Sequence, residues 1–214
     1  MKKSVAVLGL GKYGKSLSAS LYRMGADVLA VDCDMKKIEE FRDKCTSAVC
    51  ANLANEEEVN ALGLKNMDIV VTAMGSDLAA SILCVTIAKE QGVPIVISKV
   101  SSGRMASLLK KIGADKVIDP EEEGGARSAR ILLSSGFKDF YELDENMYMI
   151  EMDPRPEWIG KNLIELNLRS NLGLNIVAVR SKGKPFHFVD PKAAFTKDDI
   201  LLIVTEKGNR KLNL

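Results

Sequence analysis

Gly9-Leu10-Gly11-Lys12-Tyr13-Gly14 has the G-x-G-x-x-G spacing, and what it offers chemically is bare backbone. The first glycine allows a tight turn, the second lets main chain approach a pyrophosphate, and the third lets a helix lie close on a strand. A helix starting here would present free N–H groups and the positive end of its dipole to the phosphates. Asp32 is the second group of interest. A carboxylate at the tip of the next strand accepts ribose hydroxyls and repels a 2′-phosphate, which disfavours NADP. The alternative is a solvated acid opening the Asp32-Cys33-Asp34 turn. Lys12 and Lys15 fall in the first helical turn, where cations oppose the dipole by about 0.3–1 kcal/mol each unless an anion is present. A phosphate beyond the pyrophosphate would be that anion; otherwise both lysines are simply solvated.

These groups need a scaffold, and the hydrophobic periodicity describes one. Strands are expected at Ser4–Leu8, Val28–Val31, Ala48–Cys50, Ile69–Thr72, Pro94–Ile97 and Val117–Ile118. Helices are expected at Lys12–Met24, Met35–Lys44, Glu56–Leu62, Leu78–Gln91 and Arg104–Ile112. Short apolar strands alternating with helices indicate a Rossmann-like, doubly wound parallel sheet. After Pro120 the pattern changes. A helix runs from Glu121 to about Leu133, and the strands that follow (Tyr148–Met152, Asn175–Arg180, Phe186–Val189, Ile200–Thr205) have only one short helix among them, near Leu163–Leu168. The expected organisation is an α/β domain over 1–120, a crossover helix and connector over 121–145, and a small α+β domain over 146–214.

Several function classes fit poorly. In the 214-residue chain 30 Lys and Arg balance 29 Asp and Glu, for a net charge of +1. A nucleic-acid surface needs clustered basic charge, and none is evident. No apolar run approaches the roughly 20 residues that span a bilayer, and the glycine-broken start is a strand rather than a signal peptide. A soluble intracellular protein is expected. Cys33, Cys45, Cys50 and Cys84 show no Cys-x-x-Cys pair, and the single histidine, His187, is remote from them, so reduced thiols are expected rather than a zinc site. No dehydrogenase catalytic set is recognisable. A nucleotide site without a reaction centre points to sensing rather than turnover.

In combination, the residues resemble the cytosolic RCK-type regulatory subunits of bacterial Trk/Ktr potassium uptake systems, the Ktr branch in particular. The likeness rests on Val7–Gly14, Arg23-Met24-Gly25, Leu29–Asp32 and Leu62–Asn66. It continues through Leu109–Glu121, Leu168–Val179 and Asp198–Val204, so that it spans nearly the whole chain. It implies two RCK domains joined by a crossover helix, and homodimers assembled into a tetrameric or octameric ring. The ring would lie at the cytoplasmic face of the cell membrane beneath a potassium-transporting subunit, with no nucleic acid involved. It also implies ATP/ADP as ligand, with NAD(H) the alternative.

Carried over by position, the resemblance implies nucleotide contacts at Gly9, Leu10, Gly11, Lys12, Tyr13, Gly14, Asp32, Cys33, Asn52, Leu53, Ala73, Met74, Gly75 and Lys99. Lys12 stands where Ktr-type members usually carry an arginine that reaches the terminal phosphate of a neighbouring subunit's nucleotide; lysine keeps the charge without the planar fork. Glu121 matches a carboxylate that binds a Mg, Ca or Na ion, although acids in a first helical turn also complement the dipole without metal. Arg169, Asn175, Ile176 and Val177 match positions that hold cyclic di-AMP, with His187 and Pro191 on a neighbouring segment; the alternative is a core strand beside a solvated arginine. Trp158 reads as a packing residue. The rival functions are a small NAD-dependent oxidoreductase, an NADH redox sensor, and a DNA-binding redox regulator, which would need a helix-turn-helix.

Overall fold

Six short apolar runs pair into one parallel sheet: β1 (Ser4–Leu8), β2 (Asp27–Asp32), β3 (Ser47–Cys50), β4 (Ile69–Thr72), β5 (Ile95–Lys99) and β6 (Lys116–Ile118). The computed structural model describes residues 2–133 and 137–209. The strand order is β3-β2-β1-β4-β5-β6, every pair parallel, so the chain starts in mid-sheet and reverses direction between β1 and β4. Helices α1 (Lys12–Arg23), α2 (Met35–Phe41), α3 (Glu56–Ala61), α4 (Leu78–Glu90) and α5 (Gly103–Ile112) connect the strands. A parallel sheet covered on both faces must be apolar on both. Val5, Val7, Val28 and Ala30 pack with Ile38 and Phe41 on one side; Ala6, Leu8, Leu29 and Val31 pack with Val59, Val85 and Leu109 on the other.

Side-chain caps set the starts of four of these helices. Asp34, Asn55, Asp77 and Ser102 accept hydrogen bonds from the amides of Lys36, Glu58, Ala80 and Met105, satisfying donors that the helix cannot. Helix α1 differs: its N-cap is Gly11, which offers no side chain. Inside the sheet one polar pair interrupts the apolar layer. Thr72 and Ser98, both fully buried, share a hydrogen bond of 2.5 Å between their hydroxyls at the carboxyl ends of β4 and β5.

The chain divides into two compact units, Met1–Glu122 and Glu123–Leu214, with the boundary inside α6 (Pro120–Leu133). The second unit is an antiparallel sheet of β7 (Phe137–Glu142), β8 (Met147–Met152), β9 (Asn175–Ser181), β10 (His187–Phe188) and β11 (Asp199–Glu206), ordered β10-β9-β11-β8-β7. Phe140, Ile150, Trp158, Leu174, Leu201 and Ile203 form its core. Trp158 is buried among these residues, a packing residue as expected.

Three elements differ from the sequence reading. Phe137–Glu142, within the expected connector, is a strand with a bulge between Phe137 and Asp139. The single helix expected near Leu163–Leu168 is two, α7 (Leu163–Leu166) and α8 (Leu168–Leu172). Asn167 between them takes a left-handed conformation, φ 43°, which ends the first helix. The strand expected over Phe186–Val189 contracts to the two residues of β10.

Candidate nucleotide-binding cleft

A cleft of about 860 Å³ opens at the carboxyl ends of the parallel strands, among residues that follow β1, β2, β4 and β5. It lies at the point where the strand order reverses, the position that ligands occupy in open α/β sheets. The glycine loop forms one wall. Gly9 has φ +103°, and its amide donates to the Val31 carbonyl oxygen at 2.7 Å. Gly14 packs against the Gly9 carbonyl so closely that a β-carbon would overlap that oxygen. At Gly11 a β-carbon would meet nothing within 4 Å. The three glycines thus divide the work: Gly9 turns the chain, Gly14 seats the helix, and Gly11 leaves main chain open to a ligand.

Helix α1 has no acid in its first turn and no side-chain cap. The positive end of its dipole therefore faces the cleft without a side-chain cap or an acid to complement it. Lys15 reaches away to Glu40, 3.2 Å from Oε2, while Lys12 lines the cleft. Of the two first-turn lysines, only Lys12 lines the cleft.

Asp32 is almost fully buried, yet it also lines the cleft. Its Oδ2 accepts from the Leu10 amide at 2.7 Å and its Oδ1 from the Asp34 amide at 3.0 Å. Lys37 Nζ lies 3.1 Å and 3.2 Å from the two oxygens. Burial pushes the Asp32 carboxyl up, but the amides of Asp34 and Leu10 and the Lys37 ammonium outweigh it and hold the group below its ordinary range. The carboxylate is thus charged and fixed in orientation, as a ribose acceptor must be.

Across the cleft, Lys99 is largely buried, its stem lying over Gly75. Its Nζ is 2.7 Å from Glu121 Oε1, and that bond holds the Glu121 carboxyl low. Glu121 was expected to face a metal ion; within its own unit its partner is a lysine. Among the described residues no group of three or more His, Cys, Asp or Glu side chains is placed to hold a metal.

Cys33, Asn52, Leu53, Ala73, Met74 and Gly75 also line the cleft, with Gly9, Gly11 and Tyr13. Leu10 and Gly14 are not among the residues that line it. The Leu10 side chain is 1% exposed in the core and only its amide serves the site, by fixing Asp32. Gly14 is taken up by helix packing. Lys37, Ser101, Ser102 and Asp119 line the cleft without having been singled out. Lys37 was legible in principle: the Asp34 cap fixes the register of α2, which places it over the end of β2.

In the second unit, Arg169 on α8 and Asn175 are exposed, Val177 is half-buried, and Ile176 is buried in the core opposite Ile203. The Ile176 side chain therefore faces away from any surface ligand. On the other edge of β9, β10 pairs only with Ala178 and Val179.

The family model for the TrkA-N domain matches residues 5–120. Ktr system potassium uptake protein C of Bacillus subtilis is 35% identical over 206 residues, covering 95% of this chain and 92% of that protein. Ktr system potassium uptake protein A of Vibrio alginolyticus is 34% identical over 202 residues, covering 94% and 92%. The chain belongs to the Ktr/Trk family of RCK regulatory subunits. Solved structures show the same RCK fold. The GsuK RCK domain aligns with a TM-score of 0.68 at 14% identity, covering all of this chain and 47% of that one, about half its length. The TrkA-N domain of an Escherichia coli inner membrane protein aligns at 0.55 and 19% identity, covering 63% of this chain and 98% of that domain. The first unit is therefore a nucleotide-binding TrkA-N domain.

Proposed function

We propose that this RCK subunit senses adenine nucleotides, ATP against ADP, and gates a membrane potassium-transporting subunit from the cytoplasmic side. The observation that carries the reading is the arrangement at the two ends of the cleft. An uncapped helix with Lys12 in its first turn offers itself to phosphate, and a buried, charged Asp32 offers itself to ribose. Lys99 adds a second cation on the opposite wall. The relatives named as Ktr potassium uptake proteins supply the transport context. The GsuK channel, a likeness in fold, is bound to NAD, so NAD(H) is the competing ligand.

The chain's own residues would act as follows. The Gly9 turn and the Gly11 backbone receive the inner phosphates, and Asp32 holds the ribose diol. Lys12 and Lys99 respond to charge beyond the diphosphate. A ligand biases a conformational equilibrium only through differential affinity, and moving it from 1:99 to 99:1 takes about 5.5 kcal/mol. A ring of identical subunits reaches that figure by summing a modest ATP-over-ADP preference at each site. In this reading Glu121 meets a cation at a dimer interface, and Arg169 with the Asn175–Val177 edge receives cyclic di-AMP. The described residues that line the cleft include no histidine, and the reading is one of regulation rather than turnover.

Calorimetric titration of nucleotide-stripped protein with ATP, ADP and NADH, beside an Asp32→Ala variant, tests this. Micromolar ATP and ADP binding that is lost in the variant supports it. Tight NADH binding without any response to ATP replaces it with a redox sensor, or with an oxidoreductase if a substrate turns over.

A further inference from the structure

The carboxylate expected to hold ribose has no acceptor site to spare. Two oxygens offer about four lone-pair directions. The Leu10 and Asp34 amides take two of them, and Lys37 Nζ bridges both oxygens at 3.1 Å and 3.2 Å. The two amides belong to the backbone that shapes the cleft and cannot leave without unmaking it. Lys37 can. It sits on the end of a flexible stem, its side chain is 37% exposed against 8% for Asp32, and it lines the cleft itself. A ribose diol that donates both hydroxyls to Asp32 must take the place of this ammonium.

Resting on the nucleotide reading of the cleft, we infer that Lys37 is a built-in competitor for the ribose seat. It sets affinity and ligand choice by occupying Asp32 until a cis-diol displaces it. While Lys37 is in place, the buried carboxylate is neutralised and the empty cleft carries no bare buried anion, which would be costly. On binding, two hydroxyl donors replace one ammonium and Lys37 is released toward solvent. The contribution of the diol is therefore a difference between two sets of hydrogen bonds to the same oxygens. A sugar that lacks the diol leaves Lys37 undisturbed. Lys37 is a specificity-determining residue that acts through Asp32.

The experiment compares ADP with 2′,3′-dideoxy-ADP, which carries the same phosphates and charge, in the full-length wild type, Lys37→Met and Lys37→Arg. The readout is the ratio of the two dissociation constants. Because both ligands have the same charge, the general loss of attraction on removing a cation cancels in the ratio. Lys37→Met frees Asp32, and its ratio rises roughly threefold or more over wild type, the scale of one part-exposed ion pair. Lys37→Arg offers a planar fork that matches a carboxylate, so its ratio stays at or below the wild-type value. An unchanged or lower ratio in Lys37→Met overturns the competitor role, and equal weakening of both ligands would assign Lys37 to the phosphates instead. Failure of ADP and NADH alike to bind wild type overturns the nucleotide reading itself, and the competitor role with it.

Discussion

The α-carbon of Gly14 lies flush against the carbonyl oxygen of Gly9, and a β-carbon at position 14 has no room beside that backbone atom. The first and third glycines of the loop thus hold each other, and the second is left to the ligand. The distinction can be measured. Gly14→Ala is expected to destabilise the first unit by about 1–3 kcal/mol, the usual cost of overpacking. Gly11→Ala, with open space around its β-carbon and φ −68°, should leave the melting temperature unchanged and weaken ADP binding roughly tenfold by crowding the phosphate. Differential scanning calorimetry paired with titration separates the two. A Gly11→Ala protein that binds ADP as wild type does would remove the loop from the phosphate site.

Thiol reactivity should divide the four cysteines evenly. Cys33 and Cys50 are exposed, and Cys45 and Cys84 are buried. Burial, with Asp77 nearby, pushes the Cys84 thiol up to about 12, and burial with Asp43 raises Cys45. Thiolate is the reactive form. Ellman titration at pH 8 is expected to show two fast thiols in native protein and four in guanidinium. Cys33 lines the cleft and Cys50 is absent from its walls, so saturating ADP should protect one of the fast pair. Protection of neither would place the nucleotide elsewhere.

Acid should weaken the second unit through Asp139. Its carboxylate accepts from Arg127 and from the Tyr141 hydroxyl, each at 2.6 Å, and from the Phe140 amide at 2.8 Å. Burial raises this carboxyl, but the Arg127, Tyr141 and Phe140 bonds lower it further, to below its ordinary value of 3.8. A group depressed in the folded state contributes stability above its unfolded pKa and loses it as pH falls through the folded value. Stability should therefore drop as pH falls below about 4, and Asp139→Asn should flatten that limb. Urea midpoints of both proteins at a series of pH values give the comparison; parallel curves would exclude the role.

Asn167 is the single non-glycine residue with positive φ among the described residues. Asparagine tolerates this region and alanine does not, at a cost of roughly 1–2 kcal/mol. Asn167→Ala should lower stability by about that amount, while Asn167→Gly should stay near wild type. Urea denaturation decides it, and equal losses in both variants would attribute the effect to side-chain contacts instead.

The first unit was readable because its strands are buried on both faces and each βα step repeats the same pattern. The residues from Ser4 to Leu8 are nearly all apolar, and no alternative to a central parallel strand suits them. In β7 the signal failed: Phe137-Lys138-Asp139-Phe140 places its two phenylalanines three apart, and the bulge that makes both face the core cannot be seen in residue types. The break at Asn167 was equally invisible, since Leu163–Leu168 reads as one amphipathic turn after another. At the cleft, residue types pointed to Asp32 and the glycines. That Leu10 would give its side chain to the core and its amide to Asp32, and that Lys37 would fill the remaining acceptor sites, depends on how loops meet. A one-dimensional pattern does not carry that information.

The buried Thr72–Ser98 pair bears on how the central sheet selects its strand register. Sliding β5 by two residues against β4 keeps every side chain on its proper face, so hydrophobicity alone hardly distinguishes that arrangement from the native one. In the slipped sheet Thr72 and Ser98 would each face valine, with two buried hydroxyls unpartnered at about 1–3 kcal/mol apiece. The native register, Thr72 opposite Ser98, is the one that satisfies both. A single polar contact inside an apolar layer thereby marks the native strand alignment as the favoured one, where hydrophobicity alone would leave two registers nearly equal.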